Sequence, residues 1–224
     1  MLPPDLRSAE AEALAALAAA LPSQARGLWS VELRFEGLRI LPVALRLAAA
    51  LTPREPALRL LFPDAGATAL AQRDAPDLSQ QCQSLSDLMR LQQADGGSEG
   101  LLILVAPTPA DYSEVEAVCA LHRGSVVLLN GRLEDAAVGI GTVARERRKG
   151  FLSGWTSAYA LIPTADGALR HAYPHPWQLF RRDPDGYRHA ADFEQRPDAE
   201  QQAEALQQSD GLKAVDRFLD GLLN

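Results

Sequence analysis

A chain of 224 residues with 47% hydrophobic and 23% charged side chains can bury a core without disulfide or metal staples. Lys and Arg number 22 against 29 Asp and Glu, and the formal charge of −7 argues against bulk attraction to nucleic acid or anionic lipid. The two cysteines, Cys82 and Cys119, lie far apart and outside any CxxC spacing, which suits buried thiols in a reducing compartment.

The first residues lack a basic n-region, and no run of about 18 apolar residues occurs, so neither a secretory leader nor a membrane span is expected. The expectation is a soluble, cytoplasmic protein that reaches a membrane only from outside. Leu6, Ala9, Ala13, Leu14, Leu17 and Leu21 recur at helical spacing and predict an amphipathic helix over 5–21, with a thin Ala-rich stripe suited to close packing on a sheet. Trp29, Val31, Leu33 and Phe35 alternate with Ser30, Glu32 and Arg34, the pattern of a half-buried strand closed by Gly37. A helix is predicted over 41–51, with Pro42 in its first turn, and a strand over 57–62. Pro63 to Gly66 turns into a helix near 67–72, and 74–84 gives no clear signal. A helix over 85–93 and a loop at 95–100 lead to the apolar run 101–106, a central strand covered on both faces. Asp111 is a candidate cap for a helix over 112–122, with His122 as a C-terminal cation or hydrogen-bonding residue, and 125–129 is the next buried strand.

Beyond Trp155 the pattern changes. Short strands are predicted at 157–162, 168–173, 177–181 and 187–191, with turns at Asp166–Gly167 and Asp183–Gly186, and helices at 198–207 and 211–222. The prediction is one α/β domain over 1–224. A βα-repeating part (1–155) forms a mostly parallel sheet with helices on both faces, Rossmann-like in its three layers. An antiparallel meander (156–193) extends one side, and C-terminal helices (198–224) finish the chain. Trp155, Tyr173 and Trp177 are expected to cluster near the meander.

Candidate sites concentrate after the strand at 125–129. Gly139 and Gly141 precede a helix whose apolar stripe is Ile140, Val143, Ala144 and Phe151, with Arg147 in the middle of that stripe. A guanidinium there needs a carboxylate or several carbonyls, and Asp64, Glu134 or Asp135 are possible partners. Arg145, Arg148 and Lys149 face the other way, either as a solvated face or as a docking patch for an acidic partner. The GxG lacks a third glycine and a Walker lysine, so a phosphate site is the weaker reading. Asp64 opens a helix as its N-cap, or else meets Asn130 and the arginines at the C-terminal edge of the sheet. His171 and His175 flank an extended segment without a third ligand, and no nucleophile–base pattern stands out. Binding candidates are therefore Asp64, Asn130, Gly139, Gly141, Arg145, Arg147, Arg148 and Lys149. No catalytic residue, metal set or cofactor is assigned, and the chain reads as more a binding protein than an enzyme.

Five phrases in order carry a resemblance: residues 61–66 (LFPDAG), 127–130 (VLLN), 139–141 (GIG), 144–147 (ARER) with Phe151, and 173–177 (YPHPW). Together they resemble an uncharacterised domain family of cyanobacteria and chloroplasts. It includes plant proteins named for low photosystem II accumulation and a domain appended to a chloroplast adenylate kinase. The resemblance implies a soluble auxiliary factor of photosystem assembly, in a cyanobacterial member peripheral to the thylakoid. It would act by binding a protein client, with no nucleic acid involved. A small-molecule or nucleotide-binding domain is the alternative. His171 and His175 depart from what that family leads one to expect.

Overall fold

The computed structural model describes residues 1–133 and 149–208. Chain order runs α1 (Leu6–Ala20), β1 (Leu28–Leu33), α2 (Ile40–Leu51), β2 (Arg59–Phe62), α3 (Ala65–Asp74), β3 (Cys82–Ser84), α4 (Leu85–Asp95), β4 (Leu102–Val105), α5 (Tyr112–Leu121) and β5 (Val126–Leu129). It resumes with β6 (Thr156–Pro163), β7 (Gly167–Ala172), β8 (Trp177–Asp183) and β9 (Gly186–Phe193). Residues 149–153 and 199–208 are helical. The remainder of the helix predicted after Gly139, and the helix predicted over 211–222, lie outside the described residues.

The nine strands form one sheet in the order β3-β2-β4-β5-β1-β6-β7-β8-β9. Pairing is parallel from β3 through β6 and antiparallel from β6 to β9, so the predicted mostly parallel sheet with an antiparallel meander is the observed one. Its handedness follows from the chain's course. Connections stepping toward β3 carry α2 and α3 on one face, and those returning carry α4 and α5 on the other.

The first core joins Ala9, Ala13, Ala16 and Leu17 of α1 with Val43, Leu47 and Ala48 of α2 and with Trp29, Val31, Ile103 and Val127 of the strands. Alanines on α1 hold the helix close to the sheet, as its thin stripe requires. Asp5 caps it by accepting from the Ser8 amide at 2.7 Å. The second core joins Leu88 of α4 and Tyr112, Val115 and Val118 of α5 with Leu102, Leu104 and Val126, and includes Phe151, Leu152 and Trp155 at its margin. At about 25 cal/mol per Å² of apolar surface removed from water, these two layers dominate the favourable side of folding.

Four expectations are corrected. Strand β1 is not half-exposed: it lies between β5 and β6, and Glu32 on its polar parity is only 8% exposed. The unassigned stretch 74–84 contains the edge strand β3, paired to β2. Asp111 does not cap α5; its Oδ2 accepts from the amide and hydroxyl of Thr108 at 2.7 Å and 2.8 Å. The three aromatics do not cluster, because each packs into a different apolar cluster. Trp155 stacks edge-on to Phe151 in the second core, Tyr173 edge-on to Trp29 in the first, and Trp177 belongs to a third cluster with Ala160 and Leu169.

Candidate functional site at the carboxyl ends of β1 and β5

After β1 the chain turns toward α2 and the first core, and after β5 it turns the other way, with Leu133 already in the second core. Neighbouring parallel strands whose continuations diverge leave a crevice at their carboxyl ends, the usual ligand position in such sheets. Here the crevice is bridged. Asn130 leaves β5 at φ 52, a left-handed conformation that Asn tolerates better than most residues. Its amide donates to the Val31 carbonyl at 2.8 Å, and its side chain continues the ladder by one step. Oδ1 accepts from the Leu33 amide at 2.6 Å, and Nδ2 donates to the Leu33 carbonyl at 2.8 Å. The carboxamide thus stands in for a peptide group where the strand backbone has turned away.

Arg34 closes the same place from the β1 side. Its guanidinium donates to the carbonyls of Asn130 and Gly131 at 3.2 Å and 2.7 Å and lies 3.4 Å from Glu32. The other oxygen of Glu32 accepts from Arg196 at 2.8 Å, and the Arg196 guanidinium sits 5.5 Å over the Trp177 ring. One largely buried carboxylate is thus shared by two guanidinium groups, and the His171 ring stacks on Trp177 with centroids 4.7 Å apart. Glu32, Arg34 and Arg196 were missed in the sequence. Their one signal is an Arg placed just past the last residue of a strand, and Arg196 is far away in the chain.

Asp64 and Asn130 share the carboxyl edge but are separated by β4, which pairs with both β2 and β5. Two strand spacings put them about 10 Å apart, so they do not meet directly. Asp64 is the N-cap of α3, accepting from the Ala67 amide at 2.8 Å. Between them Ala106 leaves β4 at φ 48, a conformation a non-glycine residue adopts at a cost. Lys149 is exposed in the helical residues 149–153. Gly139, Gly141, Arg145, Arg147 and Arg148 lie outside the described residues, as do Glu134 and Asp135.

The remaining reactive side chains are in structural surroundings. Ser98 and His122 make a buried pair, Oγ to Nδ1 at 2.8 Å, that resembles a nucleophile with its base. Yet Gln92 donates to Ser98 at 2.8 Å, and the other ring nitrogen of His122 reaches the Gly100 carbonyl at 3.1 Å. With Ser98 8% and His122 1% exposed, no substrate reaches this chain, which lies at the amino-terminal edge of the sheet. Burial lowers the pKa of His122 and of His171, each held partly up by carbonyl contacts. Burial pushes the Cys119 thiol up to about 12 and raises Cys82 as well, so neither is a thiolate at neutral pH. Among the described residues no group of three His, Cys, Asp or Glu side chains could hold a metal ion. No helix among them is long and apolar enough to cross a membrane.

Three of the five phrases quoted from the sequence fall on this framework: 61–66 runs from β2 into the cap of α3, 127–130 ends on the Asn130 bridge, and 173–177 forms the β7–β8 turn, with Tyr173–Pro174 in cis; 139–141 and 144–147 lie outside the described residues. Neither the curated proteins nor the solved structures contain a significant match. A family model does match, over residues 3–204, and the chain therefore belongs to the family described as Domain of unknown function (DUF1995).

Proposed function

We propose that this chain is an auxiliary factor of photosystem assembly that works by binding a protein client. The class of client rests on the resemblance to proteins named for low photosystem II accumulation. The mode of action rests on one observation: the crevice between β1 and β5 is closed by Asn130 and Arg34, whose polar groups bond to backbone. A carboxyl edge locked in this way offers a rigid rim rather than a reaction chamber. The client surface is assigned to that rim, with Asp64 and Asn130 on it, and to the Arg145, Arg148 and Lys149 face. In this reading the protein is cyanobacterial and peripheral to the thylakoid membrane.

A tagged chain is expected to copurify with photosystem II assembly intermediates from thylakoid extracts, and its deletion to lower photosystem II content. Unchanged photosystem II content in the deletion strain overturns the proposal. A second reading, a small-molecule-binding domain, is favoured by one specific observation, the apolar cavity between α1 and α2.

A further inference from the structure

On the first face of the sheet, α1 and α2 do not close fully over the carboxyl-terminal residues of β1 and β5. A cavity of about 190 Å³ remains between them. Its floor is Val31, Leu33 and Leu129, three side chains that Asn130 and Arg34 hold in register from the strand ends. Its walls are Leu14 and Leu47. Ala11 and Ala50, both exposed and both short, line the opening on the two helices.

The lining is apolar and the rim is charged. Arg46 on α2 donates to both oxygens of Glu10 on α1, at 2.8 Å and 2.5 Å, and this pair fixes one side of the mouth. Arg7 also lies on the rim, exposed and without a salt bridge to any described residue. Its nearest acidic neighbour in the chain, Asp5, has its carboxylate engaged by the Ser8 amide at 2.7 Å. Two guanidinium groups and one carboxylate among the lining residues give the mouth an excess of positive charge.

We propose that this cavity binds a small monocarboxylic acid, its apolar body between α1 and α2 and its carboxylate on Arg7. An apolar cavity of about 150 Å³ is enough to hold a benzene ring, which sets the body at one ring or a short branched chain. A long acyl chain does not fit. A guanidinium at the mouth selects the anionic head by charge-assisted hydrogen bonding. The inference does not depend on a protein client, since the cavity faces the α1–α2 side and is read in the isolated chain.

Benzoate and its neutral counterpart toluene test it, with binding followed by methyl NMR at Val31, Val43, Leu47 and Leu129. Benzoate is expected to shift these signals and to bind more tightly than toluene. Arg7→Gln should weaken benzoate about tenfold, the loss of one charge-assisted contact, and leave toluene unchanged. Ala50→Leu, at an exposed helical position that tolerates leucine, should close the mouth and abolish both. The proposal is overturned if benzoate leaves the methyl signals in place, if toluene binds as tightly, or if Ala50→Leu leaves benzoate binding intact. These results are obtained without thylakoid extract, so failure here leaves the assembly reading standing, and the reverse.

Discussion

At the scale of single residues, the side chains that looked most chemical are occupied by backbone. Asn130 supplies both an acceptor and a donor to Leu33 while holding φ 52. Asn130→Ala should cost about 2–3 kcal/mol in urea unfolding, because two buried backbone groups lose their partners. Asn130→Gly should be milder, since glycine accepts the left-handed conformation without strain. Equal losses in the two variants would show that backbone conformation contributes nothing there. Asp64 gives a cleaner separation of cap from chemistry. Asp64→Ala should lose about 1 kcal/mol and Asp64→Ser almost none, because serine still accepts from the Ala67 amide. Capture of a client that fails equally with both variants would assign the carboxylate to binding instead. The Asp64 cap was legible, since a short acidic residue before a helical stretch has one common local use. The Asn130 bridge was not, because its partner Leu33 lies 97 positions away and nothing local marks it.

At the scale of elements, apolar patterning located eight of the nine strands among the described residues, including all four of the meander. It missed β3, which buries Cys82 and Ser84 on either side of Gln83 but is only three residues long and too polar to display a period in sequence. Alternation in β1 separated Glu32 from its apolar neighbours correctly but said nothing of what covers the polar side, which is supplied by Arg34 and Arg196. The spread of Trp155, Tyr173 and Trp177 over three clusters has a similar origin: nearness in sequence does not fix which face of the sheet, or which part of it, a side chain packs against. The meander also contains a close contact that sequence does not display. A Cβ at Gly167 would stand 1.8 Å from the Phe180 carbonyl oxygen across the β7–β8 ladder. Gly167→Ala should therefore destabilise the protein by about 3 kcal/mol in denaturant unfolding. Hydrogen exchange should show the loss concentrated in β7 and β8, and an unchanged midpoint would contradict the geometry.

At the scale of the whole molecule, two histidines link stability to pH. Burial depresses both His122 and His171 below the ordinary 6.5, so on acidification the unfolded chain takes up protons that the folded one resists. Their contribution is therefore complete above about 6.5 and is lost as pH falls through their folded values. Thermal midpoints should rise from pH 5 to pH 7.5, and His122→Asn should flatten that rise; an identical slope in the variant would remove His122 from the linkage. The sheet order has a further consequence, in the time domain of synthesis. The first strand to leave the ribosome, β1, is one of the innermost, and its two neighbours β5 and β6 are encoded far downstream. At ordinary elongation rates it waits on the order of 10 s before both flanks exist. During that interval Trp29, Val31 and Leu33 have only α1 and α2 to cover them. The helical pair that frames the α1–α2 cavity in the finished protein is thus also the first shelter of the nascent sheet.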